Sequence, residues 1–388
     1  MELPNYFKSN VHQDIERLIK EKPTPFLVLD LSVITARYKE MAEGFPLADI
    51  FYAVKANPAN EIIQLLAELG SNFDIASAPE LDKVLEHNVS PDRIAFGNTI
   101  KKKADIAYFY QKGVHLFVTD CEADLEHIAE YAPGSKVYVR LLFDGSSSAD
   151  WPLSRKFGCH AQTGVYLLAK AQELGLVPYG VSFHVGSQQR DIETWRQAIV
   201  ATKALFDQVA REYGIELQMV NLGGGLPARY IQQTDDFNYY AKAIESFIKQ
   251  SFADNRPRIM LEPGRSLVGD AGILVSEVVM IADKSIASQT SNRWVYTDIG
   301  TFNGLIETLG EAIKYPLLTQ KQGEDVAAAT LAGPTCDSMD VMYEEHQYQL
   351  PTSLSIGDHL FWLSTGAYTT SYSSIEFNGF PPLTYYTI

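Results

Sequence analysis

The segment FYAVKANP, residues 51–58, places a lysine, Lys55, at the end of a run of apolar and aromatic residues. A long cation is an unusual way to end a strand that is buried, because its charge must stay solvated or meet a counter-charge. A primary amine can also form a covalent bond with an aldehyde. Lys55 therefore has two interpretations, a solvated strand end or an amine positioned at a site.

Lys55 belongs to the first of eight short strand-like segments. From residue 50 onward, β-branched and aromatic runs alternate with segments whose apolar residues recur three and four positions apart, which indicates alternating strands and helices. The eight runs are 50–56, 72–77, 93–98, 115–120, 136–143, 180–186, 217–223 and 258–264. Eight such units in roughly 240 residues predict an α/β fold, a (β/α)8 TIM-like barrel. A doubly wound open sheet is the structural alternative, and the polar residues at the strand ends favour the barrel.

A barrel of this kind assembles its active site at the C-terminal ends of its strands. The residues at those positions are Lys55, Asp74, Asn98, Asp120, Arg140, His184, Gly223 and Glu262. After about residue 268, strand-like runs follow one another without regular helices between them, which predicts a mostly antiparallel β domain. We expect the barrel at 31–268 and the β domain at 269–388 together with 1–30. The strand-like PFLVLD at 25–30 is also suited to extend the barrel.

The loops after the seventh and eighth strands contain residues suited to phosphate. Three glycines, Gly223, Gly224 and Gly225, follow the seventh strand, and EPGR, residues 262–265, follows the eighth. Three adjacent glycines alone more often form a tight turn, but barrels commonly bind phosphate in these two loops. Arg265 adds a forked donor that matches phosphate oxygens.

A phosphate site, a lysine one strand further round and a carboxylate together form the chemical set that pyridoxal 5'-phosphate requires. The amine of Lys55 would bind the aldehyde, and the carboxylate of Glu262 would keep the pyridine nitrogen protonated so that the ring accepts electrons. His184 is placed to lie against the ring and Ser187 to donate to the phosphate. Each residue alone has an ordinary structural alternative, and their combination at strand ends favours the cofactor.

Short motifs along the chain resemble those of the fold-type III pyridoxal-phosphate decarboxylases, in particular the ornithine decarboxylase group. They are FYAVKAN, FDIAS, FHVGSQ, NLGGG, EPGR, GPTCDSMD, GAYT and FNGF, in this order. The resemblance implies a barrel followed by a β domain and a homodimer with two active sites at the subunit interface. It implies decarboxylation of L-ornithine to putrescine in polyamine biosynthesis, with L-lysine to cadaverine as a further reaction.

The same resemblance implies roles for individual residues. Lys55 would carry the cofactor, Glu262 would pair with the pyridine nitrogen and His184 would stack on the ring. Phosphate contacts would come from Ser187, the 223–225 glycines, Gly264, Arg265 and Tyr368, while Asp74 and Glu80 would hold and tune the site near Lys55. Cys336 and Asp337 match a pair donated by the partner subunit. The cysteine returns a proton to the α-carbon, and the aspartate holds the distal ammonium of the substrate.

Two stretches depart from the family pattern. In eukaryotic ornithine decarboxylases a tyrosine and an aspartate follow the FN motif, whereas this chain has Glu307 and then Thr308. We expect Glu307 to line the substrate pocket one residue earlier, and since one methylene is worth about 1–3 kcal/mol, both ornithine and lysine stay candidates. In the loop 144–155, Pro152 stands where many relatives have arginine, and Arg155 receives no role.

Other enzymes and a binding protein remain as alternatives. Meso-diaminopimelate decarboxylase shares the barrel but usually has Cys-Glu-Ser where this chain has Cys-Asp-Ser at 336–338. Alanine racemase-like chemistry leaves the GPTCD and GAYT motifs unexplained, and a phosphosugar-processing barrel leaves the Lys55 and Glu262 pair and Cys336 unexplained. A non-catalytic relative similar to antizyme inhibitors would be expected to lack the cofactor residues, which are present here.

The composition narrows the partners. A formal net charge of −16 disfavours nucleic acid and anionic membrane surfaces, because both would be repelled. The one dense basic run, 101–103, is expected to be a solvated helix start. Three scattered cysteines, Cys121, Cys159 and Cys336, predict neither a disulfide framework nor a metal site. With no apolar segment of signal-peptide or membrane-spanning length, we expect a cytoplasmic protein.

Overall fold

The computed structural model describes residues 1–143, 148–151, 156–253, 255–286, 290–321 and 325–388. The chain divides into two compact units. The first, the barrel unit, comprises Arg37–Pro227 and Thr234–Leu267, and the second, the β unit, comprises Met1–Ala36, Ala228–Gln233 and Val268–Ile388. The barrel range expected from the sequence, 31–268, differs from the barrel unit at 31–36, at 228–233 and at Val268.

The helices, in chain order, are α1 (Val11–Glu21), α2 (Leu31–Gly44), α3 (Asn60–Glu68), α4 (Ala78–Glu86), α5 (Lys103–Gln111), α6 (Glu122–Tyr131), α7 (Ala161–Glu173), α8 (Ile192–Tyr213), α9 (Phe237–Phe252) and α10 (Arg265–Val268). The strands are β1 (Phe26–Leu29), β2 (Ala48–Ala53), β3 (Asn72–Ile75), β4 (Ile94–Phe96), β5 (Leu116–Thr119), β6 (Lys136–Arg140), β7 (Ala149–Trp151), β8 (Val177–Ser182), β9 (Ser187–Gln189), β10 (Met219–Asn221), β11 (Arg258–Leu261), β12 (Gly272–Ile286), β13 (Thr290–Thr297), β14 (Leu317–Thr319), β15 (Val326–Ala332), β16 (Val341–Pro351), β17 (His359–Leu363) and β18 (Thr384–Thr387). Short 3₁₀ segments lie at Val54–Ala56, Pro91–Arg93, Gly269–Ala271, Ile306–Glu311 and Phe377–Gly379.

Eight parallel strands close into a barrel in the order β2, β3, β4, β5, β6, β8, β10 and β11. The ring closes where β11 pairs with β2, with Ile259 opposite Ala48 and Leu261 opposite Ile50. Large side chains such as Phe51, Tyr138 and Met260 fill its core. The barrel predicted from the eight runs is therefore confirmed, and the open-sheet alternative is wrong.

Amphipathic helices follow the barrel strands because their apolar residues recur on one face. Helix α8 shows the pattern, since Trp195, Ile199 and Leu205 are buried along its length. It ends at Gly214, whose φ of 67° is left-handed and suits a residue without a side chain. The alternation of strands and helices predicted from residue 50 onward is confirmed.

The β unit contains an eight-stranded sheet whose main path runs β14, β17, β12, β13, β15 and β16. Most of its ladders are antiparallel, whereas β13 pairs with β15, and β1 with β18, in parallel. The predicted mostly antiparallel domain is therefore confirmed. The suggestion that PFLVLD extends the barrel is wrong, because β1 pairs with β12 on one side and β18 on the other, which satisfies its ladder in the β unit.

The basic run at 101–103 also differs from its prediction. The side chain of Lys101 is fully buried rather than solvated. Its Nζ donates to the carbonyl oxygens of Asn98 (3.0 Å) and Val118 (2.8 Å) and to Asp124 Oδ2 (2.7 Å), so all three of its donors have partners. Burial lowers the pKa of Lys101, and the nearby Asp124 carboxylate opposes that shift. A composition rule assigns one environment to a whole run and therefore misses a single buried lysine.

A two-stranded antiparallel ribbon, β7 with β9, was not predicted from the sequence. Trp151 pairs with Ser187, and an ion pair of 2.7 Å between Arg190 and Asp150 lies beside the ribbon. Pro152 and Arg155, in the loop singled out in the sequence, lie outside the described residues. Among the helices that the structure describes, none is both long and apolar enough to cross a membrane.

Candidate active site

Lys55 lies in the single 3₁₀ turn, Val54–Ala56, that follows β2. Its neighbours in the turn, Val54 and Ala56, are buried, whereas the lysine side chain is 50% exposed. The Nζ atom lies 3.8 Å from Asp74 Oδ2, at the end of the adjacent strand β3. The short turn therefore anchors the lysine backbone in the core and leaves the amine at the mouth of the barrel.

The loop after the eighth barrel strand meets this turn. The Ala53 N–H donates to the Pro263 carbonyl at 2.9 Å. A Cβ on Gly264 would lie 2.9 Å from the Cβ of Ala56, which is closer than two such atoms approach. The absence of a side chain at Gly264 thus lets the EPGR loop pack against the turn that carries Lys55, as barrel closure predicts.

Asp74 is buried beneath the lysine. Its Oδ1 finds no hydrogen-bond partner among the described residues. A Cβ on Gly97 would lie 1.6 Å from that atom, so the carboxylate occupies space that only glycine leaves open. Burial raises the pKa of Asp74, and the positive charges of Lys55 and Arg140 counter this shift. The site therefore contains a buried carboxylate oxygen that accepts no hydrogen bond from the described residues.

Glu262 lies on the loop directly after β11 and is held by Asn221. The Asn221 side-chain amide donates to Glu262 Oε1, and its own oxygen accepts the Gly223 N–H at 2.9 Å. Burial and the negative charge of Asp74 raise the pKa of Glu262 to about 7, against the opposing effects of Lys55, Asn221 and Arg140. Asn221 was missed as a site residue, although it stands inside the quoted NLGGG motif.

His184 is held in one tautomer. The Gly186 N–H donates to Nδ1 at 3.0 Å, so in the neutral ring the proton is on Nε2. Burial lowers the pKa of His184 well below its usual range, and the positive charges of Arg140 and Lys55 lower it further. A Cβ on Gly224 would lie 3.2 Å from Nε2. The imidazole is therefore a neutral donor beside the glycine loop.

The glycine loop, Ser187 and Arg265 are brought together as predicted for an anion site. Gly223 and Gly225 have φ values of 65° and 108°, and a Cβ on either would come within 2.6 Å of a backbone carbonyl. Arg265, which is 4% exposed, donates from Nε to Ser187 Oγ at 3.1 Å. The Gln189 N–H donates to the Gly225 carbonyl at 2.9 Å, which joins strand β9 to the loop.

Glu80 has a structural task that was missed, although the pattern Ser-x-x-Glu at 77–80 is typical of a helix start. It accepts the Ala76 N–H at 2.7 Å, while its own N–H reaches Ser77 Oγ at 3.5 Å, and these two bonds cap the start of α4. Burial raises the pKa of Glu80, and its electrostatic partners include Asp74 and Lys55. Glu80 therefore lies beside the site and fixes the loop that follows Asp74.

Arg140, at the end of β6, is a second residue that the site assignment missed. Its positive charge acts on the pKa values of Asp74, His184 and Glu262 alike. Its guanidinium also lies 4.9 Å from the ring centre of Phe157. The signal was available, because Arg140 is one of the eight strand-end residues, but the family motifs did not include it.

The remaining predicted residues belong to the β unit. Cys336 and Asp337 are exposed on the loop between β15 and β16. The Cys336 N–H donates to Asn378 Oδ1 at 2.9 Å, and Asp337 Oδ1 accepts the Met339 N–H at 2.8 Å. Glu307 lies in the 3₁₀ segment Ile306–Glu311 of the same unit and is only 2% exposed. Tyr368 is half-buried and has a left-handed φ of 55°.

A buried carboxylate, Asp340, organises the cysteine loop. Its Oδ1 accepts the Thr301 N–H at 2.8 Å, and its Oδ2 accepts the Thr335 N–H at 2.9 Å and hydroxyl at 2.6 Å. A Cβ on Gly300 or Gly333 would lie within 2.3 Å of a carboxylate oxygen. Asp340 thus ties the GTFN segment to the GPTCDS segment, a role that its place at the end of GPTCDSMD did not reveal.

Comparison with known proteins assigns the family. A family model described as "Pyridoxal-dependent decarboxylase, pyridoxal binding domain" matches residues 31–269. The chain belongs to the pyridoxal-dependent decarboxylases. The Selenomonas ruminantium lysine/ornithine decarboxylase is 33% identical to it over 369 residues, which cover 95% of this chain and 90% of that protein. Antizyme inhibitor 2 of Xenopus laevis is 33% identical over 372 residues, covering 92% and 79% of the two chains.

Solved structures of such decarboxylases share the fold. The Vibrio vulnificus lysine/ornithine decarboxylase complexed with cadaverine superposes with a TM-score of 0.88 at 28% identity, covering 98% of this chain and 99% of that one. The recognition of the family, the fold and the cofactor in the sequence is thereby confirmed.

The residues of the barrel unit fit pyridoxal phosphate. A half-exposed amine lies 3.8 Å from Oδ2 of the buried Asp74. A glycine loop without room for side chains adjoins the paired Ser187 and Arg265, which offer hydroxyl and guanidinium donors to an anion. Glu262 is buried and held by Asn221, and its carboxylate form is suited to accept a hydrogen bond from a protonated ring nitrogen. In this decarboxylase the donor set therefore matches an aldehyde, a phosphate and a pyridine.

Proposed function

We propose that this decarboxylase acts on a basic L-amino acid, converting L-ornithine to putrescine, and L-lysine to cadaverine as a second reaction, in polyamine biosynthesis. The observation that carries the proposal is the exposed pair of Cys336 and Asp337 on one loop. A carboxylate next to a thiol provides a counter-charge for a distal ammonium beside a proton donor. The names of the relatives, lysine/ornithine decarboxylase among them, support the same substrates.

In the barrel unit, each residue would have a distinct task. Pyridoxal phosphate supplies an aldehyde that binds amines and a ring that accepts the electron pair left on the α-carbon when carbon dioxide leaves. Lys55 provides the amine that holds it, and Glu262 holds a proton at the ring nitrogen. His184, kept neutral by burial, would cover the ring without adding a competing positive charge.

The remaining barrel residues would orient the phosphate and tune the charges. Ser187 and Arg265, which are hydrogen-bonded to each other, would donate to the phosphate together with the N–H groups of the glycine loop Gly223–Gly225. Gly264 lets its own loop pack against the turn that carries Lys55. Asp74 balances the charges of Lys55 and Arg140, and Glu80 holds the loop that follows Asp74. Tyr368 would add a hydroxyl donor to the phosphate.

In the β unit, Cys336 would return a proton from its thiol to the α-carbon, and Asp337 would hold the side-chain ammonium. Asn378 and Asp340 fix the backbone of this loop through hydrogen bonds to Cys336 and Thr335. Glu307, nearly fully buried, would supply a second carboxylate at the end of the substrate pocket.

A homodimer with shared active sites, in the cytoplasm, completes the proposal. Apolar side chains near Cys336 are exposed in the single chain: Met339 at 60%, Tyr372 at 48%, Ile375 at 77% and Phe377 at 37%. Apolar groups clustered on loops are expected to be covered in the working protein. A second copy of the chain would cover them and bring Cys336 and Asp337 to the barrel of its partner.

A set of four substrates tests the proposal. Purified protein is given L-ornithine, L-lysine, L-arginine and meso-diaminopimelate separately with pyridoxal phosphate, and carbon dioxide and the released amine are measured. We expect putrescine from ornithine, with cadaverine from lysine. Reaction with diaminopimelate alone would contradict the assigned roles of Asp337 and Glu307. If no substrate reacts although the protein binds the cofactor, the non-catalytic alternative replaces the proposal.

A further inference from the structure

Strand β16 contains a bulge of several residues, and the backbone N–H groups of this bulge need partners outside the sheet. Ala329 of β15 pairs with Tyr348, and Leu331 pairs with Tyr343. One residue of β15, Thr330, therefore lies opposite the four residues 344–347 of β16. Such a bulge takes backbone groups out of the ladder, and those groups then require other acceptors.

The carboxylate of Glu311 supplies these acceptors. Its Oε1 accepts the N–H groups of Glu344 (2.8 Å) and Glu345 (2.7 Å), and its Oε2 accepts the N–H of His346 (2.9 Å). Charge-assisted bonds of this kind are stronger than neutral ones. The carboxylate is held there by backbone N–H groups even though the neighbouring side chains of Glu344 and Glu345 bear the same charge.

The backbone at Glu311 has a conformation that is unfavourable for a residue with a side chain. Gly310 and Glu311 both have left-handed φ values, 61° and 53°. Glycine adopts that conformation readily, whereas a residue with a side chain pays for it unless its surroundings hold it. The three hydrogen bonds provide that hold, so the position of Glu311 is fixed by the bulge.

Glu307, the proposed substrate residue, lies on the segment that Glu311 ends. On the N-terminal side of Glu307, the Leu305 N–H donates to the Gly300 carbonyl at 2.9 Å. Directly after Glu307, the Thr308 hydroxyl lies 3.1 Å from that of Thr301 and donates to the Leu305 carbonyl at 2.7 Å. The Ile313 N–H donates to the Glu307 carbonyl at 3.0 Å. The segment 305–313 is therefore fastened near both ends, with Glu307 between the fastenings.

We infer that Glu311 is a positioning residue that fixes Glu307 through the bulge of β16 and so sets which length of basic amino acid the enzyme prefers. This inference rests on the proposed function. One methylene changes binding by roughly 10- to 200-fold in a fitted pocket, so a small displacement of a carboxylate at its end alters the preference.

The test compares Glu311→Gln and Glu311→Ala with the matched control Glu345→Gln, which removes the same charge from the exposed side chain next to the bulge. Hydrogen exchange of the amides at 305–313 and 344–346 is measured first, in the cofactor-loaded protein. We expect both Glu311 variants to exchange at least tenfold faster at these amides, and the control to match the wild type. Unchanged exchange in Glu311→Ala overturns the inference whatever the substrate proves to be.

The second measurement is the ratio of kcat/KM between the best and the second-best of ornithine, lysine and arginine. We expect this ratio to change at least fivefold in the Glu311 variants and to stay within twofold of the wild type in Glu345→Gln. A merely structural role would lower both values in parallel, and a constant ratio would therefore overturn the inference. If the wild type decarboxylates none of the three, the proposed function and this consequence fail together, while the exchange result still decides whether Glu311 holds the segment.

Discussion

The two candidate regions of this chain differ in how their functional groups are held. In the barrel unit, Asp74, His184 and Glu262 are buried near Lys55 and Arg140, and burial is the largest cause of the shifted pKa of each. In the β unit, Cys336 and Asp337 are exposed. Cys336 is held through its backbone N–H, which donates to Asn378, and the Asp337 carboxylate accepts the N–H of Met339 two residues further on. The first region holds its charges in place before any ligand binds, whereas the second presents reactive groups on an ordered surface loop.

The difference in burial determines how far each region can control the protonation of its functional groups. A buried, charge-coupled set can control protonation, because each charge is weakly screened and strongly felt by its neighbours. An exposed thiol and carboxylate lack that control until something covers them. We therefore expect changes in the barrel unit to abolish the reaction, and changes in the cysteine loop to alter its outcome.

The largest effect is expected from Lys55→Ala. Without the amine the cofactor loses its covalent attachment, so decarboxylation should fall about 1,000-fold or more, together with the visible absorption of the bound cofactor. The control Lys112→Ala, at an exposed position in the barrel unit, should leave both unchanged. A colourless wild type with full activity would contradict the cofactor role of Lys55.

Glu262→Gln should have the next largest effect. The amide keeps an acceptor for Asn221 but cannot hold a ring proton by charge, so activity should fall about 100-fold. The folded-state pKa of Glu262 is about 7 against an ordinary 4.5, so the folded apoprotein binds the proton more tightly and loses stability as pH rises between these values. Above pH 7 the variant apoprotein should therefore be more stable than the wild type, by about 1–3 kcal/mol. The free energies of unfolding of the two proteins should converge near pH 4. A stability difference that is independent of pH would contradict this assignment.

Asp340→Asn should have the smallest effect of the three on the reaction. The substitution replaces one carboxylate oxygen by an NH₂ group, which is a donor and cannot accept hydrogen bonds from Thr301 or Thr335. The loss of these bonds should destabilise the loop by about 1–3 kcal/mol. The release of carbon dioxide should persist, while the yield of diamine per carbon dioxide falls a few-fold and cofactor absorption stays unchanged. Thr335→Ser, which keeps the hydroxyl, is the control. Equal losses of carbon dioxide and diamine would place the role of Asp340 in general stability instead.

The barrel and its strand ends could be predicted because eight apolar runs alternate with helical segments, and a polar or glycine residue lies at or near the end of each run. The order of the runs assigns each of these residues to a strand, and barrel closure then brings Lys55 beside the loop of Glu262. The cofactor residues were accessible for the same reason. Each of them is a chemically distinctive residue at a position that the fold defines.

The supporting residues were not accessible in this way. Asn221 acts through a side-chain bond to Glu262, Gly97 through the space it leaves beside Asp74, and Asp340 through three bonds inside a loop. None of these contacts has a sequence period, because they join positions far apart in the chain. The buried Lys101 shows the same limit, since only its contacts with Val118 and Asp124 distinguish it from the other lysines of its run.

The proposed homodimer combines the barrel site of one copy with the Cys336 loop of another, and mixing two variants that each lose diamine formation tests this sharing. Lys55→Ala and Cys336→Ala proteins are each assayed for diamine formation, then mixed in equal amounts under conditions that exchange subunits. If the site is shared, random pairing yields one intact site in half of the dimers, so diamine formation should recover to about a quarter of the wild-type rate. A mixture no more active than the average of the two variants, despite demonstrated exchange of subunits, would contradict the claim.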